Sequence, residues 1–167
     1  LGLDGIAVHA GYGLPRDFQD GHGRLALVQN YSAVTGAALL VRRGVYLELG
    51  GLDEENLAVT FNDVDFCLKA LRAGYRNLWT PYAELYHHES RSRGYDSSPE
   101  QVRRYKEEAA FMKRKWGRFL LEDPAYNPNL SWRNSDFSLG GLGREDLRSM
   151  TESFCHPGRS GTWIGRK

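Results

Sequence analysis

The chain has 167 residues, 41% of them hydrophobic, which is enough for one domain with its own core. Its 22 Lys and Arg residues and 21 Asp and Glu residues leave a net charge of +1, which favours neither a nucleic acid nor a membrane surface as a partner. No stretch approaches the roughly 20 consecutive apolar residues that span a bilayer. We therefore expect a soluble fragment that binds no nucleic acid.

The start of the chain and its two cysteines bear on its compartment. Leu1 opens a stretch that indicates a turn leading into a strand, without the basic and then apolar pattern of a signal peptide. Cys67 and Cys155 lie far apart in sequence, and Cys67 falls on the predicted buried face of a helix. No disulfide framework is expected, and a reducing cytoplasm is the predicted location. We expect the chain to be cut from a larger protein, with peripheral membrane association of that protein left open.

The first half of the chain predicts strands, loops and one short helix. A strand and a long Gly-rich loop are expected between Leu1 and about Asn30. The apolar run from Val34 to Val41 predicts a strand that is buried on both faces. Arg43 to Leu49 predicts a short helix that ends at the glycine pair of residues 50–51.

A second helix is predicted to begin after Asn62, which is a suitable N-cap residue. Asp65 stands three residues later, as the acid of a capping box does, and Gly74 ends the helix. Apolar residues recur with helical spacing at Val64, Cys67, Leu68 and Leu71. This face is expected to pack on the core.

The second half of the chain predicts extended segments and a longer helix. Arg76 to Thr80 predicts a strand, and Ala83 to His87 a second extended piece. Ser98-Pro99-Glu100-Gln101 has the residues of a capping box with proline at the first position, so a helix is expected from there to about Trp116, closed by Gly117. The order of elements predicts a mixed α/β layer structure for residues 1–132 and a flexible Gly- and Arg-rich tail for residues 133–167.

Asp63 and Asp65 form the first group of residues that could carry chemistry. Two residues apart at a helix start, they point to roughly opposite sides of the axis, so they should not share one task. Asp65 is explained by capping, whereas Asp63 can project from the helix end into a cleft. The alternative for Asp63 is an acid that only complements the positive end of the helix dipole.

His87 and His88 form the second group. In an extended segment adjacent side chains point to opposite faces, so only one of the two could readily ligate a metal. A hydrogen-bonded structural histidine is the alternative. Five aromatic residues could line a ligand site or belong to the core: Trp79, Tyr82, Tyr86, Trp116 and Trp132.

Five segments in order resemble one known family. They are Thr35-Gly36-Ala37-Ala38-Leu39-Leu40-Val41-Arg42-Arg43, Gly50-Gly51-Leu52-Asp53-Glu54, Asn62-Asp63-Val64-Asp65-Phe66-Cys67-Leu68-Lys69, Ala73-Gly74-Tyr75-Arg76 and His87-His88-Glu89-Ser90. In order and spacing they resemble family 2 glycosyltransferases of the GT-A type, in particular bacterial rhamnosyltransferase-like members. The resemblance covers about residues 1–131 and implies a partial GT-A fold, with a Rossmann-like mixed sheet and helices packed on it.

The resemblance also implies roles for individual residues. Asp63 corresponds to the general base on the acceptor hydroxyl, with Asn62 and Asp65 counted beside it as substrate-binding. His87, or alternatively His88, corresponds to a ligand of the Mn²⁺ or Mg²⁺ ion that holds the nucleotide diphosphate. The run Thr35, Gly36 and Ala37 would lie beside the donor sugar. The implied reaction is inverting, metal-dependent transfer from a nucleotide-sugar to a carbohydrate or lipid-linked acceptor, in polysaccharide biosynthesis.

Two departures limit the resemblance. Many members have Glu where this chain has Asn62. The nucleotide-binding half, with an Asp-X-Asp metal motif at a strand end, would precede Thr35; Asp63-Val64-Asp65 begins a helix instead and is not that motif. We therefore expect the acceptor-side half of an enzyme, inactive in isolation.

A different class of function also fits the composition. Residues 91–118 include nine Lys or Arg residues and four Asp or Glu residues, so a basic helix could dock a non-catalytic binding or assembly module onto an anionic partner. An unpaired sheet edge could likewise join two chains into a homodimer.

Overall fold

The computed structural model describes Leu1, residues 6–15, Phe18, and residues 23–87, 98–131 and 137–140. These parts form a mixed α/β structure, which confirms the class but not a GT-A fold. Its elements in chain order are strand β1 (Gln29–Tyr31), a 3₁₀ turn (Gly36–Ala38), helix α1 (Arg43–Glu48), helix α2 (Asn62–Arg72), strand β2 (Asn77–Trp79) and helix α3 (Pro99–Leu121). No described helix is both long and apolar enough to cross a membrane.

The sheet of the described residues has two antiparallel strands, with Asn30 opposite Leu78 at the centre of the register. β2 confirms the strand predicted from Arg76 to Thr80, whereas β1 lies where only a loop was expected. The amide of Asn77 joins this sheet to α2, since it donates 3.0 Å hydrogen bonds to the carbonyls of Ser32 and Cys67. The extended piece predicted from residue 83 to 87 forms no regular element.

The strand predicted from Val34 to Val41 is wrong. The Oγ1 atom of Thr35 accepts a hydrogen bond from the N–H of Ala37 at 3.3 Å and caps the 3₁₀ turn, which competes with an extended backbone. Leu40 is 98% exposed. In the described part of the chain no strand pairs with this run, so its apolar residues do not enter a sheet.

The helices confirm most of the predicted pattern. α1 agrees within one residue, and α2 buries Val64, Cys67 and Leu68. The N-cap of α2 is Phe61 rather than Asn62, with a left-handed backbone (φ 64°) and no side-chain capping bond. Phe61 is held there by tertiary packing, because its ring lies against that of Tyr105 on α3.

Helix α3 begins as predicted and ends later. The capping box of Ser98 and Gln101 is present in both directions. The helix continues through Gly117 to Leu121, because burial of both Trp116 and Leu120 keeps the last turn packed on the core.

The core lies between α2, α3 and the loops that precede α2. It consists of Ile6, Leu57, Val64, Leu68, Met112, Trp116 and Leu120. Cys67 is a free, buried thiol, while Cys155 falls outside the described residues. The predicted tail also lies largely outside them; within it, residues 137–140 pair with residues 129–131 through the bridge of Leu139 with Leu130.

Candidate functional site

Asp63 lies in the first turn of α2 and faces the 3₁₀ turn. Its Oδ2 atom accepts a 2.7 Å hydrogen bond from the backbone N–H of Gly36, and its Oδ1 atom accepts one of 2.8 Å from the N–H of Val64. A Cβ atom on Gly36 would lie 3.0 Å from the Cβ of Asp63, so any larger residue at position 36 would require a small shift of Asp63 or of the turn. The carboxylate is thereby oriented by two backbone donors.

A cavity of about 760 Å³ brings several predicted site residues together. Thr35, Asn62, Asp63 and His87 line it, although they come from three separate parts of the chain. Its size falls in the range of small-molecule sites. The other predicted substrate-binding residues, Gly36, Ala37 and Asp65, are not among its lining residues.

Asp65 has a different environment from Asp63, as the helical geometry predicted. Its carboxylate is fully buried and accepts a 2.7 Å hydrogen bond from the indole N–H of Trp116. Lys115 lies 2.7 Å from the same oxygen, and Lys69 lies 3.6 Å from the other. The capping-box role is wrong, because α2 has no side-chain cap. Asp65 joins α2 to α3 instead.

The two predicted metal ligands differ in what the structure shows of them. His87 is exposed and lines the cavity with Asp63, whereas His88 lies outside the described residues. Across the described ranges, no group of three or more His, Cys, Asp or Glu residues could hold a metal ion. These residues therefore do not by themselves form a site that fits Mn²⁺ or Mg²⁺.

Several aromatic rings line the cavity. Trp79 packs edge-on against Tyr31, with ring centroids 6.2 Å apart, and Tyr126 lies 6.2 Å from Phe137. Such rings offer apolar faces on which a sugar ring can stack. Of the aromatic residues that the sequence suggested, Trp79 alone lines the cavity among those described: Trp116 is a core residue, Tyr82 and Tyr86 are exposed, and Trp132 falls outside the described ranges.

Sequence reasoning missed a second carboxylate in the cavity wall. Asp123, which is 8% exposed, accepts hydrogen bonds from the hydroxyl of Ser32 and from the N–H of Ala125 at 2.8 Å. The nitrogen of Leu1 lies 2.7 Å from its other oxygen. Asp123 stands in an irregular segment after α3 with no pattern that distinguishes it from a surface acid, so only the fold reveals it.

The thiol of Cys67 lies behind the site. Burial raises its pKa to about 11; the backbone of Val34 opposes this shift, and the charge of Asp63 adds to it. Its Sγ atom lies 3.5 Å from the N–H of Val34, so Cys67 packs the segment before the 3₁₀ turn against α2. A neutral, buried thiol of this kind is a packing residue rather than a nucleophile.

Residues 98–118, the described part of the basic segment 91–118, give little support to a binding module that docks on an anionic partner. Four of its described basic side chains already face carboxylates within 4 Å: Arg103, Arg104, Lys115 and Arg118. These pairs reduce the positive charge that α3 presents to an anionic partner.

Comparison with known proteins gives relatives of much greater length, including these three. The chain is 49% identical over 139 residues to "Uncharacterized protein y4gI" of Sinorhizobium fredii, covering 83% of this chain and 15% of that protein. It is 34% identical over 140 residues to "O-antigen biosynthesis protein RfbC" of Myxococcus xanthus, covering 83% and 11%. It is 32% identical over 79 residues to "N-acetylglucosaminyl-diphospho-decaprenol L-rhamnosyltransferase" of Mycobacterium tuberculosis, covering 47% and 25%.

The chain thus spans no more than a quarter of the length of these curated relatives. No family model and no solved structure matches it.

Proposed function

We propose that this chain is the acceptor-side part of a glycosyltransferase, in which Asp63 is the general base for transfer from a nucleotide-sugar to an acceptor hydroxyl. The observation that carries the proposal is the placement of the Asp63 carboxylate in the wall of an aromatic-lined cavity by the N–H of Gly36. Similarity to proteins named for O-antigen biosynthesis and rhamnosyl transfer supports the reaction class.

The geometry suits proton transfer from a hydroxyl. Each carboxylate oxygen of Asp63 accepts one backbone hydrogen bond, and each has a second lone pair with which it can accept the acceptor proton. As that proton moves to Asp63, the acceptor oxygen forms a bond to the anomeric carbon while the bond to the nucleotide diphosphate breaks. Attack opposite the leaving group inverts the configuration at that carbon. Trp79 lines the cavity, and in this proposal its ring packs against a sugar ring.

The predicted Mn²⁺ or Mg²⁺ ion would supply charge stabilisation for the leaving diphosphate. Since the described residues offer His87 without a complete ligand set, the other ligands would come from the donor itself or from the rest of a longer protein. His87 would be the ligand that this chain contributes to the ion, with His88 as the alternative.

The test is turnover of nucleotide-sugars by a longer protein that contains this chain, assayed with Mn²⁺. Asp63→Asn should abolish turnover while nucleotide binding and folding are kept, and His87→Ala should raise the Mn²⁺ concentration needed for half-maximal rate. Glu55→Gln is the matched control, because Glu55 is an exposed acid that does not line the cavity. Wild-type rates for Asp63→Asn would refute the assignment of the base.

A separate measurement addresses the 167-residue chain by itself. Because the nucleotide-binding half is expected outside this chain, we predict no transfer by the isolated chain with any nucleotide-sugar. Detectable product would show that the chain needs no further part and would overturn this prediction.

A further inference from the structure

The turn that carries Asp63 is conformationally strained. Phe61, immediately before α2, has a φ of 64°, a value that bulky L-residues rarely adopt. Such a backbone persists only where the surrounding structure holds it. The hydroxyl of Thr60 does not help, since this buried Oγ1 atom has no hydrogen-bond partner among the described residues.

Helix α3 provides the restraint. The carboxylate of Glu108, 3% exposed, accepts hydrogen bonds from two consecutive backbone amides: Val59 to Oε1 at 3.2 Å and Thr60 to Oε2 at 2.7 Å. One turn earlier on the same face, the ring of Tyr105 lies 5.5 Å from that of Phe61. Arg104 lies 3.9 Å from Oε1 and balances the charge.

We propose that Glu108 is a positioning residue for Asp63: by binding the amides of residues 59 and 60, it holds the strained turn so that the Asp63 carboxylate stays on the N–H of Gly36. The proposal rests on the proposed function, in which Asp63 is the base. A buried carboxylate that accepts two charge-assisted bonds from adjacent amides fixes a segment more firmly than apolar packing alone. Both carboxylate oxygens are used as acceptors, one for each amide.

The variant that tests this is Glu108→Gln, which keeps the size of the side chain but replaces one acceptor by an NH₂ donor. Glu107→Gln is the matched control on the same helix, since Glu107 is 70% exposed and pairs only weakly with Arg103 at 3.9 Å. Met112→Ala is the second control, because it weakens the core without removing a bond to the turn.

The first readout is the amide proton of Gly36 in NMR spectra of the chain, which reports its hydrogen bond to Asp63. In Glu108→Gln this signal should move most of the way to its position in Asp63→Ala, which has no side-chain acceptor, while Glu107→Gln and Met112→Ala leave it unmoved. A Gly36 signal unchanged in folded Glu108→Gln would overturn the inference. If Glu108→Gln does not fold, through-hydrogen-bond coupling between the Thr60 nitrogen and the Glu108 carboxyl carbon in the wild type decides instead, and its absence is the contrary result.

The second readout is turnover by the longer protein. Glu108→Gln should lower kcat by about 10- to 100-fold with KM changed less than about twofold, because a displaced base affects the transition state rather than substrate binding. A Gly36 signal that moves in Glu108→Gln while Asp63→Asn retains full turnover would confirm the positioning contact and reject the proposed function. Failure of the inference about Glu108 and failure of the proposed function of Asp63 therefore give different results.

Discussion

The indole N–H of Trp116 donates a 2.7 Å hydrogen bond to the Oδ1 atom of Asp65, and both side chains are buried. Lys115 lies at the same distance from that oxygen, so the acid is bound by two donors from α3. This arrangement locks α2 onto α3 two residues after Asp63 and leaves Asp63 free to face the cavity. Two acids that are two residues apart on one helix thus have different surroundings: Asp65 is buried against α3, and Asp63 lines the cavity.

Replacing Trp116 by Phe removes this donor and leaves Asp65 with fewer partners in a buried place. We expect the free energy of unfolding in urea to fall by about 1–3 kcal/mol, the usual range for a buried polar group that loses a partner. In an Asp65→Asn background, where the acceptor is neutral, the same substitution should cost less. An equal cost in both backgrounds would show that the hydrogen bond does not contribute to stability.

Gly36→Ala tests the close approach of Gly36 to Asp63. The added Cβ would meet the Cβ of Asp63 at 3.0 Å, so Asp63 or the turn must shift slightly, and we expect this shift to weaken the hydrogen bond between the carboxylate and the amide. We expect turnover by the longer protein to fall about 10- to 100-fold while the stability of the fold is nearly unchanged.

Gly44→Ala is the matched control for this substitution. Gly44 lies in α1, and a Cβ there meets nothing within 4 Å. Its replacement should stabilise the chain by up to about 1 kcal/mol through helix propensity and leave turnover unaltered. Equal turnover by the two variants would show that a Cβ at position 36 does not disturb Asp63.

The buried thiol of Cys67 predicts a loss of stability in alkaline solution. Burial, the largest cause, raises its pKa from 9.0 to about 11, so the unfolded chain releases this proton at lower pH than the folded chain. Stability should therefore fall as pH rises from 9 towards 11, by at most about 1.4 kcal/mol for each pH unit. Urea denaturation at stepwise pH measures the slope, and Cys67→Ala should flatten it. If stability falls with pH at the same rate in wild type and in Cys67→Ala, groups other than Cys67 cause the loss of stability in alkaline solution.

Asp53 predicts a loss of stability in acid. Partial burial raises its pKa, but hydrogen bonds from Asn56 and the charge of Lys115, 3.6 Å away, outweigh burial and lower it below 3.8. The ionised carboxylate thus stabilises the fold at neutral pH, and this contribution is lost as pH falls through the lowered pKa. The difference in stability between wild type and Asp53→Asn should be constant near neutrality and shrink below about pH 4. For the exposed Glu55→Gln, a difference of the same form would contradict the role of the Asn56 and Lys115 contacts.

Local sequence patterns predicted a good part of the fold. The capping box at Ser98, the apolar face of α2 and the glycine after its last turn are short-range signals, and each is present in the structure. The strand predicted from Val34 to Val41 is wrong, because an apolar run has the pattern of a buried strand whether or not another strand lies beside it. The end of α3 was also predicted wrongly because it depends on tertiary contacts: burial of Leu120 in the core outweighs the local cost of Gly117 in a helix.

In the candidate site, too, some features follow from the sequence and others only from the tertiary structure. Residue types and spacing alone determined that Asp63 and Asp65 would point to different sides of one helix, since that follows from 3.6 residues per turn. Only the tertiary structure decided that the N–H of Gly36 would bond to Asp63 and that Asp123 would line the cavity. It also decided that Glu108 would accept hydrogen bonds from the amides of residues 59 and 60, just before α2. These contacts join residues 27 to 91 positions apart, and no local preference of the backbone encodes such pairs. The bonds of Asp123 and Glu108 form because the fold buries both carboxylates, and a buried polar group must find a partner at whatever distance in sequence the fold supplies.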